Sequence, residues 1–406
     1  MANKKYLIII GIVAGLIILG LVLFLILRPT TPAPGTEAGG AFPAGGGKIP
    51  AGATTASGLT NPPPTIQAGQ ERPLVQLTQK AVSGATFIEK IQADKTKTGL
   101  VRYFEKATGH IYDIDPLTGT AARISNTTIP NIFEVYWSPA GDKAVIRYIE
   151  NNEKGVEDTV RNFSVLYLAA TSTHGTFLLS TIKTIAASPK TDKIFYLAPF
   201  ENEYIGITAS FADDKQKQIL SIPFGEFQAS WIGERIISLV TKPSSGVEGY
   251  LYKLDPTTGA FERILKGIPG LTALWSPDSE FVLYSASGYN DLKLNIYNMK
   301  EKKTIPFNLT TLPEKCSWSP TRRGIIYCAI PSILPIGDYP DDWYQGVVSF
   351  SDRIWRINVM DGTTQIISSD TGNTFDFVHP FLSKNENYLF FQNKIDGTLW
   401  SLNLVQ

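Results

Sequence analysis

Two regimes of hydrophobicity divide the chain. From Tyr6 to Leu27 it reads YLIIIGIVAGLIILGLVLFLIL, 22 residues without a charge. As a helix this stretch spans about 33 Å, enough to cross a hydrocarbon core of about 30 Å. It is longer than the apolar region of a cleavable signal peptide, and no small-residue cleavage site follows Leu27. The pattern therefore predicts an uncleaved, single-pass transmembrane helix. Beyond residue 72 the apolar residues come in short bursts bounded by polar turns, with no helical period. That is the pattern of strands.

The segment between the two regimes, 29–72, alternates Pro29, Pro32, Pro34, Pro43, Pro50 and Pro62-Pro63-Pro64 with Gly39-Gly40 and Gly45-Gly46-Gly47. It holds too little apolar surface to offset its ordering entropy, which predicts a flexible linker. As a coil it reaches about 35 Å, the length of a spacer that lifts a domain off a bilayer. Lys4 and Lys5 precede the apolar stretch, and only Arg28 follows it before Lys48. The positive-inside bias then leaves the N-terminus in the cytoplasm and everything after Arg28 outside. The expected address is the cell membrane, with an extracytoplasmic domain.

The strand region is repetitive. Trp137-Ser138-Pro139, Trp231, Trp275-Ser276-Pro277-Asp278 and Trp318-Ser319-Pro320 recur in similar company, and Ala187-Ser188-Pro189 and Leu382-Ser383 fall at equivalent places. The steps between these anchors are 50, 44, 44, 43 and 64 residues. After each anchor comes a polar turn and an apolar strand: AVIRY (144–148), IFYL (194–197), RIISLV (235–240), FVLYSA (281–286), GIIYCA (324–329) and NYLFFQ (387–392). Asp115-Pro116-Leu117-Thr118-Gly119 and Asp255-Pro256-Thr257-Thr258-Gly259 are two copies of one turn, with Pro after Asp and a closing Gly for the left-handed position. Four short strands per repeat match one propeller blade, and counting from Gly84 gives seven units. The last unit has room for only three strands, near 375–380, 387–392 and 398–404. An open edge there would invite mispairing. Residues 74–78, at the start of the domain, are expected to pair with 398–404 and close the ring.

The W-S-P anchors, the strands after them and the D-P-x-T-G turns resemble TolB-like propellers with WD40-like Pro-Asp repeats. The resemblance covers 73–406 and departs at Trp231-Ile232-Gly233-Glu234, where Ser-Pro is missing, and at Ala187, where Trp is missing. It implies an all-β, seven-bladed β-propeller of the kind that serves as an extracytoplasmic binding or scaffold module.

Composition narrows the chemistry. Of 406 residues, 37 Lys and Arg balance 37 Asp and Glu, so charge favours no nucleic-acid partner. Three histidines and two cysteines are too few for a Cys/His zinc site. No G-x-S-x-G elbow, phosphate loop, dinucleotide fingerprint or EF-hand loop appears, so no cofactor, metal or catalytic residue is assigned. His379 falls near the inner strand of the seventh unit. There it is either a channel residue with a function or a hydrogen-bonded structural one. Cys316 and Cys328 face each other across a tight hairpin if its turn centres near Thr321–Arg322. An oxidising compartment then predicts a structural disulfide.

One feature breaks the period. The 64-residue step carries an insertion, PSILPIGDYPDDWYQGVVSFSD (331–352), between the second and third strands of the sixth unit. It belongs on the face that carries the connections between blades, opposite the face where residues 74–78 enter. Asp338, Tyr339, Asp341, Asp342, Trp343 and Tyr344 are its candidate binding residues, because ordered loops carry function and aromatics anchor recognition. The plain alternative is that Trp343 and Tyr344 pack the loop onto the domain. Asp341-Asp342 alone is weak evidence for calcium. Three functions follow: a membrane-tethered module binding a protein, peptide or envelope glycan; a hydrolase or lyase acting on extracellular polysaccharide; or a structural subunit of an envelope complex.

Overall fold

The computed structural model describes residues 72–91, 95–151, 158–167, 173–288, 291–368 and 374–405. Residues 1–71, with the expected membrane helix and nearly all of the linker, lie outside the described residues. Among the described residues no helix is long and apolar enough to cross a membrane.

The described residues form 28 strands in seven four-stranded antiparallel sheets. After β1 (Leu74–Gln76), blade 1 holds β2–β5 (Val82–Ile91, Lys97–Glu105, Ile111–Ile114, Ala121–Arg123). Blade 2 holds β6–β9 (Ile132–Trp137, Lys143–Glu150, Thr159–Tyr167, Thr173–Phe177), and blade 3 holds β10–β13 (Thr184–Ala187, Lys193–Phe200, Glu203–Ser210, Lys217–Ile222). Blade 4 is β14–β17 (Phe227–Ile232, Ile236–Thr241, Glu248–Leu254, Phe261–Pro269) and blade 5 is β18–β21 (Thr272–Trp275, Phe281–Gly288, Asp291–Asn298, Lys303–Phe307). Blade 6 is β22–β25 (Cys316–Trp318, Ile325–Pro331, Asp352–Asn358, Thr364–Ile366), and β26–β28 (Phe377–Leu382, Tyr388–Asn393, Leu399–Asn403) begin blade 7. The described residues form an all-β, seven-bladed propeller.

The recurring anchors have a physical reason. The tryptophans stand at the end of the first strand of their blades, or one residue before it at Trp231, and Trp231, Trp275 and Trp318 are buried. The serine that follows is buried in every copy (Ser138, Ser188, Ser276, Ser319 and Ser383) because it ties the turn into the second strand. Its amide donates to the strand opposite, as in Ser276 N to Phe281 O at 2.9 Å. Its hydroxyl accepts a later amide, as from Phe281 N at 2.9 Å and from Tyr388 N to Ser383 Oγ at 3.0 Å. In the D-P-x-T-G turns, Asp115 Oδ1 accepts from Leu117 N at 2.8 Å and Asp255 Oδ1 from Thr257 N at 2.8 Å. Gly119 and Gly259 sit at φ 70° and 76°, where a side chain would be strained. The same turn recurs with asparagine at Asn358 and a left-handed Gly362, a copy that a search for Asp-Pro does not find.

Ring closure is made twice over. β1 lies antiparallel on β28, with Leu74 opposite Leu402 and Gln76 opposite Trp400. The regular pairing ends at Gln76. Leu77 and Thr78 then hook over Leu399, whose carbonyl accepts from Leu77 N at 2.8 Å and whose amide donates to Thr78 Oγ1 at 2.9 Å. The apolar core is divided into clusters lying between neighbouring blades. One joins blade 7 (Phe390, Leu399) to blade 1 (Val82, Val101, Ile114) through Leu77, as others join the rest of the ring. Cys316 pairs with Cys328 in the β22–β23 register, and the two form a disulfide.

Candidate functional site

The insertion between β23 and β24 builds its own small core. Tyr339, Trp343 and Phe350 are buried with Leu334 against Leu292 and Leu312. A single helical turn, α1 (Asp341–Tyr344), carries the aromatic pair. The loop is tied to neighbouring blades by polar contacts. Ser287 Oγ of blade 5 donates to the Tyr339 carbonyl, and the Ser245 amide of blade 4 donates to Asp341 Oδ2. Trp343 Nε1 donates to both oxygens of Asp376, at the start of blade 7, at 3.0 and 3.1 Å. The Tyr344 hydroxyl donates to Glu314 Oε1, just ahead of blade 6.

The six insertion residues singled out in the sequence therefore divide. Asp338 and Tyr344 are exposed, while Tyr339 and Trp343 turn inward and hold the loop in place. Asp341 and Asp342 are half-buried and serve different partners: Asp342 Oδ2 caps the Asp338 amide at 2.8 Å, and Asp341 reaches Ser245. The adjacent carboxylates do not converge. Among the described residues no group of three or more His, Cys, Asp or Glu is arranged to hold a metal ion.

Beside the insertion, the channel between the first strands opens into a cavity of about 560 Å³. Its wall comes from blades 1, 2, 3, 4 and 7, and includes Phe133, Glu134, Tyr136, Arg147, Lys183, Glu226, Lys242 and His379. Lys183 and Glu226 stand one residue before β10 and β14, so they ring the mouth where those strands begin. Arg147 is held by Glu134 Oε2 at 2.8 Å, Asn162 Oδ1 at 3.0 Å and the Ile182 carbonyl at 3.3 Å, with its guanidinium over the exposed Phe133 ring. Tyr136 donates to the same Glu134 oxygen at 2.8 Å. Lys183 reaches Glu226 Oε1 at 3.2 Å.

Enclosure dominates the electrostatics of this channel. The walls push the Tyr136 phenol far above its ordinary range, helped by Glu134. His379 reaches channel water yet has protein on every side. Desolvation lowers its pKa below 6.5, against the pull of Glu134, so the ring is neutral near neutral pH. It sits on a bulge of β26 at φ 51°, an irregularity that aims it inward. Burial raises Glu314, opposed by hydrogen bonds from Tyr344 and Thr272. Sequence reasoning reached His379 but not Arg147, Lys183 or Lys242. Those lie in three different blades, and only the ring places them side by side.

No family model matches the sequence, and no curated protein does. Solved structures are similar in fold. The WD40 domain of Neurospora crassa Pan2 superposes with a TM-score of 0.50 over 83% of this chain and 98% of its own, at 12% identity. A chain in the mitotic checkpoint complex gives 0.50 over 94% and 100%, at 10% identity. TolB from Acinetobacter baumannii gives 0.38 over 79% and 80%, at 12% identity. At these identities the likeness is one of architecture, and the chain is a β-propeller.

Proposed function

We propose that this chain is a membrane-tethered, extracytoplasmic binding module that takes a protein or peptide segment at the channel mouth, on the face bearing the 331–352 insertion. The observation that carries the reading is the cavity of about 560 Å³, where Arg147, Lys183 and Lys242 alternate with Glu134 and Glu226 beside the exposed Phe133 and Tyr344. Mixed charge with an aromatic foothold suits a polypeptide, which offers both signs and apolar side chains. The uncharged stretch 6–27 and the Pro/Gly-rich 29–72 support the tether. β1 begins at the face opposite the insertion.

The test is a pull-down from detergent-solubilised membranes with the intact protein and with Lys183→Glu/Lys242→Glu. Removal of 333–350 is a poorer probe, because it also strips Trp343 from Asp376. The charge-reversed protein is expected to lose partners that the intact protein captures. An identical set of partners from both would overturn the reading. A second reading rests on the convergence of Glu134, Tyr136, Arg147 and His379 in the channel, a carboxylate with a phenol and a neutral base. Such a group suits a polysaccharide hydrolase or lyase. Release of reducing or unsaturated ends from acidic glycans, lost in Glu134→Gln, would favour it.

A further inference from the structure

Lys315 is fully buried, and so are the carboxylates it meets. Its Nζ lies 2.5 Å from Asp376 Oδ1 and 2.7 Å from Asp352 Oδ2, with the Phe377 carbonyl at 2.9 Å. Two aromatic rings cover it, Trp343 at 5.0 Å and Phe350 at 4.7 Å from Nζ. Trp343 Nε1 donates to both oxygens of Asp376, and the Phe350 amide donates to Asp376 Oδ2 at 3.2 Å. Asp352 Oδ2 accepts from the Phe377 amide at 3.0 Å, while Oδ1 has no hydrogen-bond partner among the described residues. Three ionisable groups without water are an expensive way to hold a fold together, since desolvation offsets most of their attraction. The arrangement does, however, contain every part needed to make an amide.

We propose that Lys315 and Asp376 condense spontaneously into an intramolecular isopeptide bond, with Asp352 as the proton carrier. Asp352 takes a proton from the Lys315 ammonium and passes it to the Asp376 carboxylate, producing a neutral amine beside a neutral acid. The Nζ lone pair attacks Cγ of Asp376 and the C–N bond forms. The negative charge on the tetrahedral oxygen falls where Trp343 Nε1–H and the Phe350 N–H already point, an oxyanion site in a dry pocket. A second proton leaves nitrogen through Asp352 and reaches the other oxygen. The Cγ–O bond breaks with its electron pair on that oxygen, and one water departs. Ammonium plus carboxylate becomes amide plus water, and no oxidant or co-reactant is required. Fixed contact between the partners replaces activation.

Burial also suits Asp352 to the role: it pushes the carboxyl up to about 6, against the pull of Lys315, so the group exchanges protons near neutrality. The bond would join residues 61 apart in the chain and staple the start of blade 6 to the start of blade 7. This junction neighbours the one that the β1–β28 pairing completes, and the insertion covers it. The proposal does not depend on what the channel mouth binds.

The experiment is mass spectrometry of the full-length protein after reduction and alkylation. The intact mass is expected one water below that calculated for the sequence with both cysteines alkylated. Trypsin should release peptide 304–322, uncleaved at Lys315, joined to 357–384. Asp352→Asn, shown by circular dichroism to be folded, should give the unlinked peptides and the full sequence mass. A wild-type protein of full mass, cleaved normally at Lys315, would overturn the proposal. A link from 304–322 to 324–353 would make Asp352 the reacting carboxyl and overturn the assignment to Asp376. A link that persists in Asp352→Asn would remove Asp352 from the mechanism.

Discussion

Thr78→Val tests the seam that closes the ring with almost no change of shape. Thr78 is buried at the join between blades 7 and 1, and its Oγ1 accepts the Leu399 amide at 2.9 Å while donating to the Lys80 carbonyl at 2.9 Å. Leu399 has no exposed surface, so water cannot replace the lost acceptor. Leaving a buried amide unpaired costs about 1–3 kcal/mol, and losing the half-buried bond to Lys80 adds a smaller amount. The sum is about 2–3 kcal/mol, which at this domain size lowers Tm by roughly 3–4 °C. Thr78→Ser keeps both hydrogen bonds and gives up one methyl, about 0.8 kcal/mol. Equilibrium urea unfolding measures the difference between the variants. Native-state hydrogen exchange locates it, and the Leu399 amide and its neighbours in β28 should lose protection first. If Thr78→Val matches wild type within about 0.5 kcal/mol, or if Thr78→Ser is as damaging as Val, the hook over Leu399 does not hold the seam.

Other consequences are as specific. Replacing Cys316 and Cys328 together by alanine removes a cross-link between residues 12 apart, worth about 3 kcal/mol through the unfolded chain; thermal melts with and without reductant measure it, and wild-type protein with both thiols free would refute the bond. Glu386 is buried, which by itself raises its pKa, but hydrogen bonds from Arg322, Thr321 and Ser319 outweigh burial and lower it below 4.5. A depressed carboxylate stabilises the fold fully above 4.5 and loses that contribution as pH falls through its folded value. Glu386→Gln should therefore cost about 2 kcal/mol near neutrality and progressively less in acid, and a cost independent of pH would contradict the assignment. Trp275→Phe strands Ser238 Oγ, now the acceptor of Trp275 Nε1 at 3.0 Å between blades 4 and 5, and is expected to cost about 2 kcal/mol in urea unfolding.

The blade architecture was legible because each blade repeats a local solution. Trp-Ser-Pro ends one strand and starts the next through hydrogen bonds spanning about five residues, and Asp-Pro-x-Thr-Gly closes a turn with its own side chain. Such contacts need no distant partner, so they leave a mark in the sequence. The insertion was visible as an interruption of the period, but not the fates of its residues. Trp343 reads as a recognition aromatic until Asp376, 33 residues away, is seen to hold its indole. Lys315 reads as an ordinary charge before a strand until two carboxylates from blades 6 and 7 close around it.

The channel shows the same division. Arg147, Lys183 and Lys242 carry no motif, since nothing local requires them to be neighbours. They meet because seven similar sheets turn about one axis and bring their inner strands together around it. Sequence alone determined the period, the turns and the apolar stretch at the N-terminus, all of which are set by interactions within a few residues. Only the closed ring decided which charges are buried, which face one another across the mouth and which aromatics reach solvent. Those properties depend on desolvation by parts of the chain far apart in sequence, and a linear pattern does not encode them.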